Sequence, residues 1–256
     1  MAPKQPIVVL VPGAWSVPAM YNKLADALEA KAFTIHVPAL PSNNGARPPN
    51  ASHADDVAVV REVVKSDVDE GNDVFLIMHS YGGVVGTSAV EGLSRKDRQA
   101  KGLPGGVVHL LYLSAYLLAK GQSVWKVVEA TGLEDEIRPH LIINEDGTWL
   151  PRDPVVAIFH DLEPADQEEQ KGLVTVHNMA CVHGEATYEA WKDIPSTYVR
   201  TTEDQCVMQP YQDFCVKNAE DAGVRLDVVS FECAHAAYVR FPEELAGLVV
   251  KASSSI

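Results

Sequence analysis

The sequence predicts an α/β chain, a parallel sheet with helices on both faces. Three observations predict it. Short apolar, β-branched runs recur and alternate with segments of helical period. Pro and Gly punctuate many of the junctions. The alternation fails from about 120 to 193 and then resumes, as it would around one insertion into a repeating core.

Taken in order, Ile7 to Val11 is a continuous apolar run, the pattern of a strand buried on both faces, and it stops at Pro12-Gly13. Pro18 to Ala30 has helical spacing, with Leu24, Ala27 and Leu28 on one face. Phe33 to Val37 is a second strand ended by Pro38 and Pro41, and Pro41 to Asn50 is loop. Ser52 with Asp55 three residues on resembles a capping box, opening a helix to about Val68. Val74 to Met78 is a third strand and Tyr81 to Leu93 a third helix. After a Gly/Pro break, Val107 to Leu113 is a fourth strand. The irregular stretch that follows holds helical fragments, prolines and Trp125, Trp149 and Trp191, and is expected to lie as a cap over the strand ends. Thr197 to Thr201 and Arg225 to Phe231 are further strands; helices are expected near Pro210 to Ala222 and over Pro242 to Lys251. Such strand–helix–strand connections are right-handed.

At 256 residues, 46% hydrophobic and 22% charged, the chain is long enough to bury a sizeable core. It carries 35 acidic against 21 basic residues, a net charge of −14, with no basic cluster. Nucleic acid and anionic membrane are therefore poor partners. No run reaches the ~20 apolar residues of a membrane span. Met1 to Pro6 lead into an apolar run too short for a signal peptide, and the final Ser-Ser-Ser-Ile is not a peroxisomal address. Cys181, Cys206, Cys215 and Cys233 show no CxxC pairing and are expected as free buried thiols. The expected location is the cytoplasm. The expected partner is a small molecule, with a homodimer left open.

The third strand ends at His79-Ser80-Tyr81-Gly82-Gly83, the outline of a turn that projects a serine hydroxyl. A serine hydroxyl needs a base, and the base an orienting carboxylate. Functional groups of an open parallel sheet gather beyond the carboxyl ends of its strands. There stand Glu203-Asp204 after the Thr197 strand and His235 after the Arg225 strand. The order is Ser, acid, His. Spacing alone does not separate Glu203 from Asp204. His79, beside the nucleophile, points away from it and is read as packing. Acyl transfer also needs donors for an oxyanion. Tyr81 N–H is one; Ala14 N–H, after Gly13, is the other. Candidate pocket residues are Trp15, Tyr116, Trp125, Met179 and Trp191, with Trp149 and Phe159, and His160 for a polar substrate group. For any single cap aromatic, cap core is the better reading. No metal or cofactor is expected.

These residues resemble a known family. Val9 to Trp15, His79 to Gly83, Tyr198 to Asp204 with Gln212, and Ala234-His235 are similar to the α/β-hydrolase superfamily, in the branch of plant methyl esterases and hydroxynitrile lyases and their fungal and bacterial relatives. The resemblance spans nearly the whole chain and is weakest in the cap. It implies an α/β-hydrolase fold of about six mostly parallel strands flanked by helices, with core 1–118 and 195–256 and a helical cap 119–194. It implies Asp204 as the acid, and a serine hydrolase acting on a carboxylic ester or lactone of a small to medium, largely apolar substrate. Ser80 stands where epoxide hydrolases and haloalkane dehalogenases carry Asp. Lyases of the branch place Lys after the His and Thr in the oxyanion segment; Ala236 and the absence of Thr from Pro12 to Trp15 demote a lyase or cyclase. A ligand-binding protein on a hydrolase fold is the other alternative. Two departures bear on geometry: Pro12 replaces the usual His, and Met78 replaces a frequent Gly.

Overall fold

A computed structural model describes residues 5–254. The expectations resting on Met1–Lys4 and on Ser255 and Ile256 lie outside the described residues. Six strands form the main sheet: β1 (Ile7–Val11), β2 (Ile35–His36), β3 (Asp73–His79), β4 (Gly106–Leu113), and, beyond the middle segment, β8 (Ser196–Thr201) and β9 (Asp227–Phe231). Their order is β2-β1-β3-β4-β8-β9, and every neighbouring pair is parallel. β3 and β4, at the centre, are buried almost throughout, which is why their sequences are continuous apolar runs. Each fully buried Val or Leu there contributes about 1.5–3 kcal/mol.

The helices of the core are α1 (Asn22–Glu29), α2 (His53–Asp69), α3 (Gly82–Ala89), α4 (Arg95–Ala100), and later α8 (Gln209–Asp221), α9 (Ala237–Arg240) and α10 (Pro242–Ser253). The capping box forms: Ser52 Oγ accepts from Asp55 N–H, and the Asp55 carboxylate accepts from Ser52 N–H. α3 is shorter than its apolar pattern suggests, stopping at Ala89. The second strand shrinks to two half-buried residues at the sheet edge, where one neighbour alone supports it.

The middle segment departs from a purely helical cap. It holds α5 (Val124–Thr131), α6 (Glu134–Ile137) and α7 (Pro164–Leu173), and also a three-stranded antiparallel sheet, β5 (Leu141–Ile143), β6 (Thr148–Pro151) and β7 (His177–Asn178). Gly147, at φ 86°, closes the β5–β6 turn. These strands are too short for periodicity to reveal. All four cysteines are free, with Cys206 only half-buried. No helix among the described residues is long and apolar enough to cross a membrane.

Candidate active site

Register puts the carboxyl ends of the central strands at one edge of the sheet, with β8 running two residues past β4. His79 pairs with Leu113, Leu113 with Val199, and Thr201 with Phe231. The residues that follow those ends therefore meet at one place.

Ser80 sits between β3 and α3 at φ 54°, a left-handed backbone that serine rarely adopts. Packing holds it there. A Cβ on Gly82 would lie 2.5 Å from Val11 O, so only glycine lets α3 start this close to β1. Met78 finds its room at Gly86, where an added Cβ would lie 2.7 Å from its Sδ. The bulk in front of the turn is thus taken up one helical turn into α3.

Of the two adjacent carboxylates, Asp204 is buried and meets His235, while Glu203 is exposed. His235 Nδ1 lies 2.7 Å from Asp204 Oδ2. Three further donors fix the carboxylate: Thr201 Oγ1 at 2.7 Å on Oδ2, and Cys206 N and Val207 N at 2.8 and 2.7 Å on Oδ1. Gln212 ties down the same turn by donating to Thr201 O and Val207 O. Burial pulls the His235 pKa down, but the Asp204 charge and hydrogen bond outweigh it, and the net shift is upward. Ser114 Oγ, 3.3 Å from His235 Nδ1 at the end of β4, is a second neighbour of that ring. Among the described residues no hydrogen bond joins Ser80 Oγ to His235; such bonds often tighten only with substrate bound.

The loop after β1 is clamped despite Pro12. Asn43 Oδ1 accepts from Trp15 N–H, and Asn43 Nδ2 donates to Gly13 O, both at 2.9 Å. Gly13 N–H donates to Tyr21 Oη at 2.9 Å. The amides on either side of Ala14 are thus committed, and no hydrogen bond within the described chain uses Ala14 N–H or Tyr81 N–H. Both residues line the same cavity as Ser80. His79 is buried and does more than pack: its Nδ1 is 2.9 Å from Tyr21 Oη and its Nε2 3.2 Å from His235 O. Burial first, and the nearby His235 second, push its pKa well below the usual imidazole value.

The cavity over Ser80 has about 710 Å³ of empty volume, including solvent at its mouth. Trp15, Tyr116, Trp125 and Trp149 are among its walls. Trp15 and Trp149 pack edge to face at 4.5 Å, and Trp15 Nε1–H donates to Trp149 O. Four predicted pocket residues lie elsewhere. Trp191 is fully buried with its N–H on Leu118 O, a core anchor. Met179 begins a 3-10 turn outside the lining. His160 is exposed, its ring turned back to donate to Val156 O. Phe159 is likewise core. In their place Ile137, His140, Ala157 and Gln205 line the cavity. Tyr21 and Asn43 also escaped sequence reasoning, the first as a helix-face residue, the second as an ordinary loop polar.

Asp56, His177 and Cys181 bring ligand atoms within 4.8 Å of one another beside Tyr81. The donor set does not suit a cation. Trp149 Nε1–H, which can only donate, occupies the His177 Nδ1 lone pair, so the neutral ring carries its proton on Nε2. Burial pushes the Cys181 thiol up to about 12.

The family model described as "Alpha/beta hydrolase family" matches residues 8–248. Alpha/beta hydrolase nvfD of Aspergillus novofumigatus is 28% identical over 260 residues, covering 97% of each chain. Among solved structures, the methylesterase MES16 of Arabidopsis has a TM-score of 0.75 at 17% identity, covering 98% of this chain and all of that one. A pyrethroid hydrolase of Sphingobium faniae has a TM-score of 0.72 at 18% identity, covering 97% of each.

Proposed function

Because the chain belongs to the alpha/beta hydrolase family, we propose that it is a serine hydrolase cleaving a carboxylic ester or lactone through an acyl-enzyme. One observation carries the reading. A buried His235, oriented by Asp204 at 2.7 Å, packs against the ring of His79, the chain neighbour of Ser80, which is held in a strained turn beneath an apolar cavity. The kinship to nvfD, named a hydrolase, supports it.

Ser80 Oγ attacks the carbonyl carbon, and its proton passes to His235 Nε2. Asp204 keeps the Nδ1–H tautomer and stabilises the imidazolium. The carbonyl oxygen, now negative, accepts from Ala14 N–H and Tyr81 N–H. Collapse expels the alkoxide, which takes the proton from His235. Water, deprotonated by the same ring, then attacks the acyl carbon and releases the acid and free Ser80. The chemistry calls on no cofactor beyond water. The substrate is a small molecule whose apolar part faces Trp15, Trp125 and Trp149.

A fluorophosphonate should phosphonylate the folded protein at Ser80, read by mass spectrometry of the tryptic peptide, and Ser80→Ala should abolish the adduct. An unlabelled wild-type protein would sink the proposal.

A further inference from the structure

We propose that His79 and Tyr21 are positioning residues that hold the oxyanion loop and the His235 loop in one register; this rests on the hydrolase reading above. With the His79 ring kept neutral by its burial, the direction of each hydrogen bond follows. Gly13 N–H can only donate, so Tyr21 Oη accepts it at 2.9 Å. The hydroxyl has one hydrogen, which goes to His79 Nδ1 at 2.9 Å. An Nδ1 that accepts leaves the neutral ring's proton on Nε2, and that N–H faces His235 O at 3.2 Å, a carbonyl that can only accept. Every hydrogen is used and none is opposed. The chain runs in one sense from the residue before Ala14 to the backbone of His235, and such aligned bonds reinforce one another.

Packing makes the relay stiff. The His79 ring lies 4.4 Å from the His235 ring and 4.9 Å from Tyr238, and Tyr21 lies 4.5 Å from Tyr238, centroid to centroid. Gly13 has no room to drift: a Cβ there would lie 3.0 Å from Ser80 Cβ and 3.1 Å from His79 Nδ1. The three groups that must converge on a carbonyl come from loops after β1, β3 and β9. His79 is part of the β3 end and touches both other loops. Its adjacency to Ser80 therefore serves alignment: the nucleophile points up into the cavity, and the ring beneath it links the other two loops.

The test uses p-nitrophenyl butyrate, with kcat normalised to active sites titrated by fluorophosphonate, so that misfolded protein does not count. Tyr21→Phe keeps the ring and removes the relay. It should lower kcat about tenfold, less than the loss of an oxyanion donor itself, with KM within twofold. His79→Leu should do the same. His79→Gln should recover most of the loss, because its amide offers an acceptor toward Tyr21 and an N–H toward His235 O at similar spacing. A merely structural role would lower thermal stability and the yield of titratable sites while leaving normalised kcat alone. Unchanged normalised kcat in Tyr21→Phe and His79→Leu overturns the relay while wild-type turnover leaves the hydrolase reading standing. An inert, unlabelled wild type removes both.

Discussion

Asp204 is held from three sides before it meets His235, and this makes one substitution diagnostic. Its Oδ1 receives two backbone N–H groups, so the amide introduced by Asp204→Asn must keep its oxygen there. The NH2 then faces His235 Nδ1 and forces the tautomer whose Nε2 carries the hydrogen, which cannot serve as base. A drop in kcat of roughly three to four orders of magnitude is expected, measured on an ester substrate with folding checked by circular dichroism. The pH profile gives a second reading of the same pair. In the proposed mechanism the neutral ring is the base, and Asp204 raises the His235 pKa despite the opposing burial. Activity should therefore rise with pH along a limb centred above 6.5, the unperturbed value. His79, held neutral by burial, should add no limb near neutrality. A kcat/KM profile from pH 5 to 10 checks both. Ser80, His235 and the Glu203-Asp204 pair stood out as candidates because each follows a strand end in a fixed order, while the choice of Asp204 over Glu203 rested on the family resemblance. Tyr21, Asn43 and Ser114 did not, because their roles come from contacts across loops distant in the chain.

At the scale of elements, the turn between β3 and α3 depends on two glycines in different ways. An added Cβ at Gly82 would meet the backbone oxygen of Val11 at 2.5 Å, and strand backbone cannot step aside without disturbing the sheet. An added Cβ at Gly86 would meet the flexible end of Met78, which has other rotamers. Gly82→Ala should thus destabilise by about 3 kcal/mol or more, and Gly86→Ala by about 1 kcal/mol, measured by urea unfolding. Met78→Ala should relieve much of the smaller loss and none of the larger. The sequence made the elbow visible through its glycines, and left open how Met78 fits, because the compensating residue lies eight positions on in another element. Long buried strands such as β3 and β4 were equally legible. β2 was read too, though longer than its two residues, whereas the three short strands between β4 and β8 were not, since strands this short carry no period and depend on tertiary partners.

At the scale of the whole molecule, the segment between β4 and β8, where the sequence was least informative, supplies most of the walls of the cavity over Ser80. All its tryptophans look alike in a list of residues, yet the fold uses them differently. Trp125 packs against His183, ring centroids 5.5 Å apart and tilted, and faces the cavity over Ser80, whereas Trp191 is sealed in the core with its N–H on Leu118 O. Size selectivity should therefore follow Trp125 and stability Trp191. Trp125→Ala enlarges the chamber, and removing that ring should shift the kcat/KM ratio of p-nitrophenyl octanoate to p-nitrophenyl butyrate about tenfold toward the longer acyl chain, within the 1–3 kcal/mol that a hydrophobic pocket discriminates. Trp191→Ala opens a void away from the substrate. It should cost about 3–5 kcal/mol in unfolding free energy and leave the ratio, per titrated active site, unchanged; Trp191→Phe provides the same comparison at smaller loss. The paired measurement separates the two roles. A ratio that moves with Trp191 and not with Trp125 would mean that the substrate occupies some other face of this segment than the cavity over Ser80.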